Sequence, residues 1–235
     1  TRLEINANVV SVLVPHLQNL QKAAEMAKVD AHTIVPSVLA SAKAVLKESQ
    51  IENGVAVIDM GASTTSVAVF EEGDLQYVGV VPMGGANITN DLAIGLKTDP
   101  EIAENVKIKY ADAAERSVSN TVSLKHDGQT FDFETSEIDE IVEARLEEIF
   151  EAVQKELKKA GRAGRLPSGV VLVGGTANVK HISSYAKAKL GVAARVGKSE
   201  GYGGVSEEAE TPQFAAAVGL MMIDPEATTT AQKSG

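Results

Sequence analysis

The chain has 235 residues, 22 of them basic and 32 acidic, for a formal net charge of −10, with 44% hydrophobic and 23% charged residues. That is the composition of a folded protein with one large domain or two small ones, not of a disordered chain. The acidic balance argues against non-specific nucleic-acid binding, the absence of cysteine excludes disulfides and thiolate sites, and no apolar run reaches the roughly 18 residues of a membrane span. No signal-peptide pattern opens the sequence, so the expected compartment is the cytoplasm. It begins at Thr1 and runs at once into a strand-like pattern, which points to a piece of a longer protein.

The elements follow in chain order. Asn8 to Val14 reads as a strand and His16 to Val29 as a helix. Thr33 to Val35 reads as a short buried strand, and Ser37 to Lys47 as a helix with Val38, Ala42 and Val45 on one face. Strand, helix, strand, helix predicts a parallel α/β unit. After Asn53-Gly54 come three strands, Val55 to Asp59, Thr65 to Phe70 and Leu75 to Val81. Their connections are too short for anything but antiparallel pairing. Gly84-Gly85 then opens a helix carrying Ile88, Leu92 and Leu96.

Residues 99 to 166 read as a small α+β insertion. It holds a helix from Pro100 to Tyr110, a hairpin from Val122 to Glu134 turning at Asp127-Gly128, and a long helix from Glu137 to Ala160. The α/β pattern resumes with a strand from Gly169 to Val173, a helix from Ala177 to Leu190, a strand from Ala193 to Val196 and an apolar helix from Pro212 to Met222. Residues 224 to 235 read as a flexible polar tail.

Two places could carry chemistry. At Val55 to Thr65 a carboxylate, Asp59, ends an apolar strand and is followed only by small residues, Gly61, Ala62, Ser63 and Thr64. A buried carboxylate needs a partner or a metal, and small residues let backbone amides close on an anion. The pattern suits a magnesium–phosphate ligand, with Asp59 toward the hydrated metal. A tight hairpin with Asp as its turn former has the same letters. At Val170 to Thr176 a strand runs into Gly174-Gly175-Thr176, where a helix N-terminus would favour negative charge, although a ligand-free turn fits as well. The four histidines lack metal-ligand spacing, and no GxSxG or GxxxxGK[ST] motif is present.

The order of these features resembles the actin-like ATPase superfamily, with its ribonuclease-H-like α/β fold, and within it the FtsA family of bacterial cell-division proteins. Ile58 to Thr65 is similar to the phosphate-2 signature, Val171 to Ala177 to the adenosine motif, and Gly84 to Asp91 to the entry into subdomain 2B. Pro36 to Leu46 is similar to the segment before the phosphate-2 strand. Ala103 to Lys107 is similar to the helix whose acid and lysine reach ribose and adenine, and Pro212 to Leu220 to the second connecting helix.

The resemblance implies a layout. Residues 1–50 would be the end of domain 1, meaning the last strand of 1C and the return to 1A. Residues 51–83 and 166–211 would be the nucleotide-binding subdomain 2A, 84–165 the 2B insertion, 212–223 a connecting helix and 224–235 a tail. ATP and Mg2+ would be the cofactors. Asp59 would hold the metal, Gly61, Ala62, Ser63 and Thr64 the phosphates, Gly174, Gly175 and Thr176 the nucleoside, and Glu104 and Lys107 the ribose and base. The family's first phosphate loop has no counterpart in this sequence, so the implied activity is at most weak ATP hydrolysis by the intact protein.

The implied partners are the FtsZ C-terminal peptide through 2B, further copies in a filament, and the membrane through a C-terminal helix beyond this sequence, with no nucleic acid. The implied location is the inner face of the cytoplasmic membrane at the division site, where the protein would link the FtsZ ring to the membrane. Alternatives are a PilM-like pilus-assembly adaptor on the same fold and a sugar kinase, for which no sugar-pocket Asp signature is present.

Overall fold

The computed structural model describes residues 7, 9–31, 33–114, 116–201 and 207–223. Three helices come first: α1 (Val14–Met26), α2 (Ser37–Val45) and α3 (Glu48–Asn53). A meander follows, β1 (Val55–Met60), β2 (Thr65–Glu71) and β3 (Asp74–Val81). Then come α4 (Gly85–Gly95), α5 (Pro100–Tyr110), the hairpin β4 (Thr121–His126) and β5 (Gln129–Glu134), and α6 (Thr135–Lys159). The chain closes with β6 (Val170–Val173), α7 (Ile182–Leu190), β7 (Ala194–Val196) and α8 (Ala215–Met222).

The main sheet has the order β3-β2-β1-β6-β7, and β4-β5 form a separate pair. β1 runs antiparallel to β2 and parallel to β6. The central strands are buried on both faces, which is why they read as unbroken apolar runs rather than alternating ones. Ala56, Ile58 and Met60 join a large core with α4, α5, α6 and α7. Val55, Val57, Val171 and Val173 face the other way, into a smaller core with α2 and α8. On α6, Ile138, Val142, Leu146, Ile149, Val153 and Leu157 are all buried. Each such side chain contributes about 1.5–3 kcal/mol of burial.

The excursion from β3 to β6 was legible almost residue for residue, and both hairpins turn where expected, at Glu72-Gly73 and Asp127-Gly128. In the first fifty residues the two expected helices form, as α1 and α2, but the two expected strands do not. Residues 9–13 form no strand and Val9 is 88% exposed, while Asn8 lies outside the described residues. Thr33 and Ile34 also lack strand structure, and α1 buries nothing. The expected parallel unit therefore does not form. Apolar letters make a strand only where a neighbouring strand takes up the backbone groups, and here the sheet is built wholly from residues 55–81 and 170–196.

Three further differences are local. The short α3 was not expected. The helix expected over 177–190 is instead a 3-10 turn at Gly175–Asn178, then α7, with His181 left-handed at φ 57° between them. Tertiary bonds win there, because the Lys180 carbonyl accepts the Ala113 amide at 2.9 Å and His181 Nδ1 lies 2.6 Å from Asp112 Oδ1. The final helix likewise starts as a 3-10 turn at Pro212–Phe214 before α8. The expected tail, 224–235, lies outside the described residues.

Candidate functional site

Parallel pairing of β1 and β6 sets Asp59 opposite Val173, so the carboxylate and the Gly174-Gly175-Thr176 turn leave the sheet at one edge. Gly174 has φ +86°, and a Cβ there would stand 2.5 Å from the Met60 carbonyl oxygen and 2.7 Å from Asp59 Oδ1. Only glycine combines that backbone with so close an approach. Strand alternation turns Asp59 toward α2, where Ser41 Oγ donates to Oδ2 at 3.4 Å. Burial pushes the Asp59 carboxyl above the usual carboxylate range, and hydrogen bonds from Ser37 and Ser41 oppose that only in part.

The turn after β1 is closed by the Gly61 amide donating to the Thr64 carbonyl at 2.9 Å. Ala62 and Ser63 keep amides that no hydrogen bond among the described residues uses, and Ser63 and Thr64 are exposed. The start of α4 docks on this turn: the Gly85 amide donates to Gly61 O at 2.9 Å and the Ala86 amide to Ala62 O at 2.8 Å. From the other side, Thr176 Oγ1 donates to Gly61 O at 3.0 Å. The helix N-terminus expected at Gly174 is absent: Gly175–Asn178 is a four-residue 3-10 turn, and the Gly174 amide is engaged by Pro212 O at 2.9 Å. Any anion held there would meet single amides, not an α-helix dipole.

Beside these turns lies a pocket of about 460 Å³. Its walls include Ala62, Glu104, Lys107, Gly175 and Thr176 from the expected set, with Gly85, Ile108, Asn178, Val179 and Gln213 in addition. Asp59, Gly61, Ser63, Thr64 and Gly174 stand at the same sheet edge but do not line it. Lys107 Nζ donates to Gly85 O (3.1 Å), Thr89 Oγ1 (2.8 Å) and Glu104 Oε2 (2.6 Å), so all three of its hydrogens are engaged. Thr89 also hydrogen-bonds Glu104 Oε2. Burial alone would raise the Glu104 carboxyl, but the Lys107 and Thr89 bonds and the Lys107 charge outweigh it and leave Glu104 below the usual range.

Sequence reasoning missed Thr89, which sits one helical turn after Gly85 and holds both Glu104 and Lys107. The i, i+4 spacing from a helix-opening glycine was the available signal. Asn178 and Gln213 carried none, being ordinary polar letters near turns. Among the described residues no group of three acidic or imidazole side chains could hold a metal by itself, and no helix is long and apolar enough to cross a membrane.

Residues 56–219 match the family model described as Cell division protein FtsA. The chain belongs to the FtsA family. It is similar to the FtsA of Pseudomonas aeruginosa, 33% identical over 225 residues, which cover 94% of this chain and 54% of that protein. The chain thus spans about half the length of this curated FtsA relative.

Among solved structures, MreB5 of Spiroplasma citri bound to ADP superposes with a TM-score of 0.75 at 15% identity, over 95% of this chain and 69% of that one. The PilM–PilN type IV pilus biogenesis complex gives 0.68 at 19%, over 89% and 58%. Both likenesses show an actin-like α/β fold. The FtsA match ranks cell division above the PilM-like alternative.

Proposed function

We propose that this FtsA-family chain supplies the nucleotide-binding half of an actin-like division protein, with ATP and Mg2+ as its ligands. The observation that carries the reading is the meeting of two distant small-residue turns, 61–64 and 174–176, at one sheet edge beside a pocket large enough for a nucleoside phosphate. The ADP bound by the MreB5 neighbour supports it. In this reading the free Ala62 and Ser63 amides and the Ser63 and Thr64 hydroxyls face phosphate, and Gly61 and Gly174 keep the backbone close. Gly175 and Thr176 bracket the nucleoside. Glu104, held in place by Lys107, accepts from the ribose.

The residues fit magnesium in a particular way. Asp59 is a half-buried carboxylate that accepts from the hydroxyls of Ser37 and Ser41, the latter long at 3.4 Å, and no group of three acidic or imidazole side chains forms around it among the described residues. A lone carboxylate suits an ion that keeps its waters and takes further oxygens from phosphate. Bound there, magnesium would neutralise phosphate charge, while Asp59 orients its water shell and Ser41 orients Asp59.

The layout read from the sequence accompanies this function: 51–83 and 166–211 as the nucleotide-binding subdomain, and 84–165 as the partner-facing one, offered to the FtsZ C-terminal peptide. Assembly into filaments and linkage of the FtsZ ring to the cytoplasmic membrane at the division site belong to the intact protein. The test is calorimetric titration of Mg-ATP against the full-length protein and its Asp59→Ala variant. Loss of magnesium-dependent binding is expected, and unchanged affinity removes the assignment.

A further inference from the structure

Two walls of the pocket are tied to each other outside it. One wall is α5, with Glu104, Lys107 and Ile108, and the other is the turn from Gly175 to Val179. On the pocket face, Glu104 and Lys107 bond to each other and to Gly85 and Thr89 of α4, not across to the turn. The two segments meet just beyond. Asp112 and Lys180 form a backbone bridge, and the Ala113 amide donates to Lys180 O at 2.9 Å. His181 Nδ1 donates to Asp112 Oδ1 at 2.6 Å, and the Ala114 amide reaches the same oxygen at 2.9 Å. Neither Asp112 nor His181 lines the pocket.

The Asp112 side chain is only 11% exposed, so it depends on these donors, whereas the His181 side chain is 59% exposed and reaches in to it. Burial alone would raise the Asp112 carboxyl, but the Ala114 and His181 bonds, with the charges of His181 and Arg116, outweigh it and hold Asp112 below the usual range. The His181 backbone is left-handed at φ 57°, where a β-carbon crowds the following carbonyl. Glycine would make the same turn and the same backbone bridge without that cost. What histidine adds is the ring nitrogen on Asp112, and a strained residue kept in place points to a use. Resting on the nucleotide site proposed above, we propose that the His181–Asp112 pair is a latch that holds the end of α5 against the start of α7, fixes the gap between the two pocket walls and slows nucleotide release. Both are positioning residues, since they act on the pocket through Ile108 and Val179 and touch no ligand. An unlatched chain spends part of its time with the walls apart, and apparent affinity falls with the fraction left competent.

The test compares the full-length parent with its His181→Gly and His181→Asn variants. ADP affinity in magnesium buffer is read by calorimetry, ADP release by stopped-flow chase, and the ligand-free fold by thermal unfolding. Glycine and asparagine both accept the left-handed backbone, and asparagine Nδ2 stands where histidine Nδ1 does. His181→Gly should bind ADP about tenfold more weakly and release it about tenfold faster, with a melting temperature close to the parent's. His181→Asn should restore affinity to within about threefold of the parent. Amide exchange at Ala113 should quicken in His181→Gly and not in His181→Asn. Parent-like affinity in a folded His181→Gly, or a His181→Asn as weak as His181→Gly, overturns the latch and leaves the nucleotide site standing. A parent that binds no ADP overturns the nucleotide site and the latch with it.

Discussion

Thr176 and Gly61 are 115 positions apart in the chain and joined by one hydrogen bond, from the Thr176 hydroxyl to the Gly61 carbonyl at 3.0 Å. Thr176 is 6% exposed, so its hydroxyl has little water to turn to. Thr176→Val keeps the shape and removes the donor. The expected cost is about 1–2 kcal/mol in urea unfolding, with nucleotide affinity down roughly tenfold in calorimetry as the two turns part. Equal affinity in the variant would show that the bond fastens the fold without shaping the pocket.

Gly84 and Gly175 make a matched pair. A Cβ on Gly84 would fall 2.5 Å from Gly61 O and 2.6 Å from Ala62 O, both backbone atoms, whereas one on Gly175 meets nothing within 4 Å. Gly84→Ala should therefore lose about 1–3 kcal/mol and displace α4 from the turn. Gly175→Ala should stay within about 1 kcal/mol of the parent. Thermal melts of the two variants side by side measure the contrast.

These two relationships mark how far the sequence could be read. That Asp59 and Gly174 share one sheet edge was legible, because β1 and β6 are both short apolar runs ending in small residues, and parallel pairing leaves one arrangement. What α4 does was not legible. Its opening amides bond to the carbonyls of the 61–62 turn, a docking that depends on three-dimensional approach and leaves no periodic trace. The failure of the strands expected at 8–14 and 33–35 has the opposite cause. Val9, Val12 and Ile34 have strand chemistry but no paired ladder among the described residues, and composition cannot tell a strand from a strand's letters.

A buried carboxylate on α6 gives a pH prediction. Glu156 accepts from the Tyr77 hydroxyl at 2.6 Å and pairs with Lys159 at 2.6 Å. Burial alone would raise the Glu156 carboxyl, but these bonds outweigh it and hold it below 4.5, while Tyr77 is pushed up to about 12 by burial and by Glu156. A lowered carboxyl stabilises the fold above 4.5, and that stability fades as pH falls through its folded value. A raised tyrosine stabilises below pH 10.0 and ceases to do so as pH climbs toward about 12. Tyr77→Phe should cost about 1–3 kcal/mol at pH 7. The deficit should shrink in acid and above pH 10.0, as read by urea midpoints across pH.

Asp59 has the reverse sign. Its carboxyl is raised above 3.8, so the ligand-free fold is favoured below that pH and loses ground as Asp59 ionises. Asp59→Asn removes that charge. The ligand-free variant should be more stable than the parent at neutral pH, by roughly 1 kcal/mol, a gain that fades in acid. Added magnesium and ATP should raise the melting temperature of the parent and not of the variant.

The parallel seam between β1 and β6 also dictates an order of assembly. Residues 55–81 can pair as soon as they emerge, since each strand follows its neighbour by a turn. The seam must wait until α4, the β4–β5 hairpin and α6 have been made, and closing a loop of about 115 residues costs on the order of 4 kcal/mol in chain entropy. A molecule bridging both turns would act as a clasp on that loop. Its absence during synthesis would leave an early, half-built meander with its apolar β1 edge bare.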